Sequence, residues 1–204
     1  MSAGLLADNR VVALNTEQDQ LVKHISGDAE RLLKITYELL DLSQVETGNI
    51  QLNFATTQPE QIIDYAIKAI KFEADQKGLI IEQSVPEYIP DIQADVEKTA
   101  WVMINFLTNA IRYSSAKSKL LVNVKRKGAM VEFSVKDFGK GIDDQYKERL
   151  FERYFQVPTD GQNKSGTGLG LAISKEFILA QGGDIGMESE VGVGSRFYFD
   201  LPVK

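Results

Sequence analysis

Between Thr16 and Glu46 the apolar residues return every three and four positions. Leu14, Leu21, Ile35 and Leu42 fall on one heptad position, and Ile25, Leu32 and Leu39 fall on its partner. That is the spacing of a long helix with an apolar seam. Leu33 and Leu40 widen the stripe beyond a two-stranded seam, which suits a helix bundle, and Asp28 interrupts it. One helix cannot bury such a stripe, so the element needs partners. Gly48 is a candidate C-cap. Ahead of the helix, Leu5-Leu6 reads as a helix end and Ala7-Asp8-Asn9-Arg10 as a turn.

Beyond Asn49 the period changes. Residues 50–54 (Ile50-Gln51-Leu52-Asn53-Phe54) alternate like a strand, and Thr57-Gln58-Pro59-Glu60 has capping-box spacing. Ile62, Ile63, Ala66, Ile67 and Ile70 give the next helix its apolar face, as far as Gly78. Residues 79–85 read as a strand, and Pro86 and Pro90 bracket a loop. Asp95 caps a helix reaching about Tyr113. Strands follow at 119–127 and 130–136, turning through Gly128. An irregular stretch, 143–165, leads to a glycine-rich run and a helix that ends at Gly182-Gly183, and strands at 185–189 and 195–201 close the chain. Helices interleaved with hairpins predict an α+β fold. It is a two-layer sandwich of a mixed, mostly antiparallel sheet covered on one face by three helices, preceded by a long bundle-forming helix. The expected division is 1–48 and 49–204.

Composition narrows the partners. The chain has 204 residues and a net charge of −6 without a basic run, so nucleic acid is not expected and an anion must be held locally. With no cysteine there are no disulfides and no thiolate metal site. No apolar run approaches membrane-spanning length and no signal-peptide pattern opens the chain, so a cytoplasmic piece is expected.

Three segments carry candidate chemistry. In Lys164-Ser165-Gly166-Thr167-Gly168-Leu169-Gly170-Leu171, alternate glycines bare the backbone where a loop becomes a helix, and N–H groups at a helix N-terminus favour an anion such as phosphate. On the 95–113 helix, Asn105, Asn109 and Arg112 share one stripe. An amide oxygen is a hard neutral ligand suited to Mg²⁺ that also holds phosphate oxygens, although a polar stripe equally suits a solvated face. Asp137 ends a strand and enters a turn whose Gly139 and Gly141 let a flat ligand approach the backbone. Its carboxylate can accept from an exocyclic amine such as that of adenine and would repel the carbonyl of guanine. A capped type II turn is the plainer alternative.

Together these segments resemble the sensor histidine kinases. Asn105…Asn109-Ala-Ile-Arg-Tyr resembles the N box, Asp137-Phe-Gly-Lys-Gly the G1 box, Phe151-Glu-Arg-Tyr-Phe the F box and Gly166-Thr-Gly-Leu-Gly-Leu the G2 box, in order. Residues 29–33 and 42–48 resemble the end of the second dimerisation helix of that family. The resemblance implies the histidine-kinase-like ATPase fold, ATP and Mg²⁺ as ligands, and Asn109 as the Mg²⁺ ligand with Asn105 beside it. Arg112 would meet the phosphates and Tyr113 the adenine. Asp137 would bind the adenine amine, with Gly139, Gly141 and Ile142 alongside. Residues 143–165 would form a lid bringing Arg153 to the phosphates, and Gly166, Thr167, Gly168, Leu169, Gly170 and Leu171 would wrap the triphosphate.

The resemblance also has gaps. Gln156 stands where many relatives carry a second arginine, and no histidine is followed by an acidic residue and a nearby proline, the acceptor motif. His24, the only histidine, is expected to be structural, beside the seam and near Asp28. The expected function is therefore the ATP–Mg²⁺-binding part of a kinase whose acceptor histidine lies upstream. It would form a homodimer through the helical segment, relay phosphate to a response regulator, and meet a membrane only through upstream segments. An ATP hydrolase of the same superfamily is disfavoured, because those enzymes place a glutamate where Asn105 stands. A nucleotide-gated binding module without kinase activity is the other alternative.

Overall fold

In the computed structural model, which describes residues 14–48, 50–158 and 166–204, the first element is helix α1 (Thr16–Glu46) of 31 residues. The readings made on residues 1–13, on Asn49, and on the end of the 143–165 stretch, including Lys164 and Ser165, lie outside the described residues. Asn15 caps α1: its side chain accepts from the Gln18 N–H at 2.9 Å while the Gln18 side chain accepts from the Asn15 N–H at 3.1 Å. This reciprocal pair satisfies two N–H groups of the first turn. At the other end Thr47 is the C-cap, and Gly48 follows it at φ +65°, the left-handed conformation that glycine adopts without strain.

Strand β1 (Phe54–Thr57) begins where the alternating stretch was expected to end. It pairs antiparallel with β3 (Ile92–Asp95), from Phe54 opposite Asp95 to Thr57 opposite Ile92. The pairing stops at Asp95 because that carboxylate has turned to the next helix, accepting from the Lys98 N–H at 3.0 Å, and also from the Asn53 N–H at 2.9 Å. The capping box expected at Thr57 does not form. Thr57 is a buried strand residue, Gln58 is the N-cap without a side-chain bond, and Pro59 opens α2 (Pro59–Gln76). Proline's fixed φ and missing N–H suit that first position.

The remaining elements are β2 (Ile80–Ser84), α3 (Val96–Tyr113), β4 (Lys119–Lys127), β5 (Met130–Asp137), the short α4 (Asp144–Lys147), α5 (Gly170–Ala180), β6 (Asp184–Glu190) and β7 (Gly194–Pro202). Five strands form one sheet in the order β2-β4-β5-β7-β6. Only β2 with β4 is parallel, so the sheet is mixed and mostly antiparallel, and α2, α3 and α5 cover it. The α+β sandwich expected from the sequence is the observed fold.

Period-two patterning explains the covered face. Val122, Val124, Val131, Phe133, Val135, Phe197, Phe199 and Leu201 are buried and meet across the strands, Val124 opposite Phe133 and Phe133 opposite Phe199. The Phe133 and Phe199 rings stack at 4.9 Å, and Phe106 from α3 lies 5.5 Å from Phe197. Such ring pairs contribute about 0.5–1.5 kcal/mol each beyond their buried area. On the other face the buried Glu132 bonds Lys125 at 3.0 Å and Arg196, binding β4, β5 and β7 together. Burial pushes its carboxyl up, but Lys125 and Arg196 outweigh it and hold the pKa below the ordinary 4.5. The row of covered side chains ends in a carboxylate: Asp137 pairs with Leu120 and shares its face.

Candidate functional site

A cavity of about 530 Å³ opens at that end of the sheet, between α3, the glycine-rich loop and α1. Asp137 lines it and is 4% exposed. Its Oδ1 accepts from the Gly139 N–H at 2.8 Å and the Ser195 N–H at 3.3 Å. Burial pushes the carboxyl above the ordinary 3.8, although the Gly139 and Ser195 N–H groups and Lys136 draw it down. Gly141 and Ile142 line the cavity, and packing gives both glycines of this turn a further reason. A Cβ on Gly139 would strike the Tyr113 carbonyl, and one on Gly141, at φ +70°, would strike the Glu190 backbone. The space is taken by neighbouring chain, and the glycines let the turn dock on α3 and on the β6–β7 hairpin.

Helix α3 supplies the second wall. Asn105, Asn109, Arg112 and Tyr113 all line the cavity, while Phe106, Leu107, Ala110 and Ile111 are buried behind them. The Asn109 side chain makes no hydrogen bond among the described residues, so its oxygen is available to a ligand. Asn105 is engaged: its Nδ2 donates to Ser174 Oγ at 2.9 Å. Lys77 closes the C-terminus of α3, donating to the carbonyls of Ile111 at 2.6 Å and Arg112 at 2.9 Å.

The third wall is the glycine-rich loop. Gly166 at φ +137° and Gly168 at φ +74° hold conformations that other residues rarely adopt. A Cβ on Gly168 would lie 2.7 Å from the Tyr154 backbone, and the Tyr154 N–H donates to the Gly168 carbonyl at 2.9 Å. Gln156, at the position lacking a second arginine, instead donates its Nε2 to the Gly166 carbonyl at 2.8 Å. Among the described residues no side chain caps α5, and its first residues, Gly170 and Leu171, line the cavity.

Three expected residues are placed elsewhere. Gly139 lies behind Asp137 and not in the cavity wall, and Leu169 is 2% exposed and belongs to the core. Arg153 pairs with Glu46 of α1 at 3.1 Å. The stretch expected to be a lid is anchored as far as it is described: Leu150 is buried, and the Arg149 guanidinium lies 4.3 Å over the Phe155 ring.

The sequence reading missed the part α1 plays. Gly27, Arg31, Ile35 and Glu38 line the same cavity. Glu38 is 5% exposed and accepts a hydrogen bond from Thr167 Oγ1, whose oxygen accepts in turn from the Leu169 N–H at 3.2 Å. Burial pushes the nearby Asp41 carboxyl up, with Lys98 opposing and Glu38 adding to the shift. The four lining positions have helical spacing and were legible as one stripe, but nothing in the sequence says what that stripe faces. Chemically, the cavity can hold a flat amine-bearing ring against Asp137 and an anion at α5, with amide oxygens between them.

Residues 94–204 match the family of histidine kinase-, DNA gyrase B- and HSP90-like ATPases. The chain is 30% identical over 203 residues to the alginate biosynthesis sensor protein KinB of Pseudomonas aeruginosa, covering 100% of this chain and 34% of that protein. It is 31% identical over 193 residues to the sensor histidine kinase RcsC of Escherichia coli, covering 91% of this chain and 20% of that one. The crystal structure of full-length ShkA in complex with AMPPNP matches with a TM-score of 0.80 at 28% identity, over 98% of this chain and 42% of that chain. The chain thus spans about a third or less of the length of these two curated relatives.

Proposed function

This chain belongs to the histidine kinase-, DNA gyrase B- and HSP90-like ATPase family, and from that premise we propose that it binds ATP with Mg²⁺ and directs the γ-phosphoryl group to a histidine outside this chain, for relay to a response-regulator aspartate. It is an ATP-binding catalytic module of the sensor histidine kinase type. In our reading residues 1–48 belong to the dimerisation segment and 49–204 to the ATP-binding unit. The protein works as a homodimer on the cytoplasmic side. Among the described residues no helix is long and apolar enough to cross a membrane.

One observation carries the reading: a single cavity joins the buried carboxylate of Asp137 to the uncapped N-terminus of α5, with the unpartnered Asn109 between them. Asp137 accepts from the adenine amine, which gives adenine preference over guanine. The first-turn N–H groups of α5 and the Gly166–Gly170 backbone take the phosphate oxygens, and Arg112 adds charge beside them. The residues present fit Mg²⁺: the amide oxygens of Asn109 and Asn105 are hard, neutral donors, and no group of three acidic, histidine or cysteine residues competes for the ion among the described residues. Bound there, the metal would neutralise charge on the phosphates, and the protein's own part is positioning. Asn105 has no basic group to activate water, which argues against hydrolysis as the main activity.

Calorimetry tests the reading. Mg²⁺–ATP is expected to bind well above Mg²⁺–GTP, and Asn109→Ala should reduce the Mg²⁺ dependence of ATP affinity with the fold intact. Equal affinities for the two nucleotides would overturn the adenine site. An undiminished Mg²⁺ effect in the variant would remove Asn109 as ligand.

A further inference from the structure

Ser174 lies on α5 one turn beyond Gly170, is 0% exposed, and does not line the cavity. Its hydroxyl has one proton, and that proton is given to the Gly170 carbonyl at 2.8 Å. Towards Asn105, 2.9 Å away, the Ser174 oxygen can therefore only accept, so the amide nitrogen of Asn105 must point at it. Turned the other way, Asn105 would set its oxygen against an oxygen with no proton to offer. Oδ1 is thus held on the opposite side of the amide, where a Cβ on Gly170 would come within 2.7 Å of it. Among the described residues Oδ1 accepts no hydrogen bond, while Asn105 and Gly170 both line the cavity beside Asn109, one turn along α3.

Which end of that amide faces the cavity has chemical consequences. The NH₂ end would donate to phosphate oxygens. The oxygen end repels them and coordinates a cation or accepts from water bound to one. We propose that Ser174 is a positioning residue: by fixing the flip of Asn105 it makes the site select metal-bound nucleotide over free nucleotide. The inference rests on the proposed ATP–Mg²⁺ reading of this cavity and assigns that preference to an orienting hydrogen bond made outside the cavity itself. Gly170 belongs to the same device, since only a residue without a side chain leaves the amide oxygen its place over the start of α5.

The test uses the full chain and three ligands in titration calorimetry: ATP with Mg²⁺, ATP with EDTA, and adenosine. In Ser174→Ala the Asn105 amide loses its acceptor and can turn its NH₂ to the phosphates. Mg²⁺–ATP should weaken about three- to tenfold, the worth of one neutral hydrogen bond. Metal-free ATP should hold or tighten, and adenosine, which reads only the Asp137 end, should be unchanged. A merely structural role would weaken all three together. Ser174→Thr, which keeps the hydroxyl, should restore the Mg²⁺ preference. A readout free of metal accompanies these: the side-chain ¹⁵NH₂ pair of Asn105 in NMR should be shielded from hydrogen exchange in the wild type and exposed in Ser174→Ala. An unchanged ratio of metal-bound to metal-free affinity in Ser174→Ala, or parallel loss of all three ligands, overturns the proposal while leaving ATP binding itself standing. A wild-type chain that binds ATP equally with and without Mg²⁺ overturns the metal reading of the cavity, and this inference with it.

Discussion

Asp137 is held where a carboxylate is least at ease, 4% exposed at the end of an apolar row, with two N–H groups and Lys136 as compensation. Because burial raises its folded pKa above the ordinary 3.8, the folded chain retains that proton more readily than the unfolded one. The contribution to stability is then complete below the unfolded value and is lost as pH rises through the folded value. The adenine recognition proposed above needs the charged form, so ATP affinity should fall as pH drops through the same window, opposite in sign to the stability. Asp137→Asn separates the two effects. It should weaken ATP by about 1.5–3 kcal/mol, the worth of a charge-assisted hydrogen bond, without lowering Tm. Calorimetry and thermal unfolding across pH check this, and equal ATP affinity in both proteins would dismiss the role. Asp137 and Asn109 were legible because each is a polar residue at a position where the periodic pattern gives way to a site. The engagement of Asn105 was not, because its partner Ser174 stands 69 residues away and is met only when α3 packs on α5.

Between elements, α1 engages two groups that the resemblance to the sensor histidine kinases assigns to the triphosphate. Glu38 accepts from the Thr167 hydroxyl, and Glu46 pairs with Arg153 at 3.1 Å. Both are carboxylates, so α1 offers the glycine-rich loop and Arg153 the same kind of acceptor that phosphate offers. Arg31 on the same wall of the cavity has the opposite sign, so the competition is specific to these two donors. Glu38→Ala should therefore tighten Mg²⁺–ATP about fivefold, from roughly 1 kcal/mol of released competition, while lowering Tm. Weaker binding in this variant would mean that Glu38 props the loop in its binding shape. The long helix α1 was readable from its period, and α3 from its period and Asp95 cap. The pairing of β1 with β3 was not, because short strands are defined by a partner 35 or more residues away, and the alternation of residues 50–54 is too brief to decide where pairing begins. The capping box at Thr57 misled for the same reason: a local signal was overridden by a strand register.

For the molecule as a whole, the seam read from the sequence stands open to solvent. Leu21, Ile25, Leu32 and Leu39 are 55%, 59%, 65% and 50% exposed, whereas Leu42, on the same heptad pattern, is buried against the ATP-binding unit. The end of α1 thus docks on its own chain, and the rest of the stripe agrees with the dimer proposed above. His24 lies on this helix three residues before Gly27, which lines the cavity, about 4.5 Å along the helix axis. Proximity does not make it an acceptor. Ile25 follows it where an acidic residue would be needed to take the proton from the imidazole, and no described ion pair joins it to Asp28. The chain should therefore bind Mg²⁺–ATP without labelling itself. Incubation with γ-labelled ATP, followed by an acid-stability assay, decides it. Acid-labile phosphate that disappears in His24→Ala would show that this helix carries the acceptor after all. Label that appears only when a separate helix bearing a histidine followed by an acidic residue is supplied would show that this chain is the donor half of the reaction.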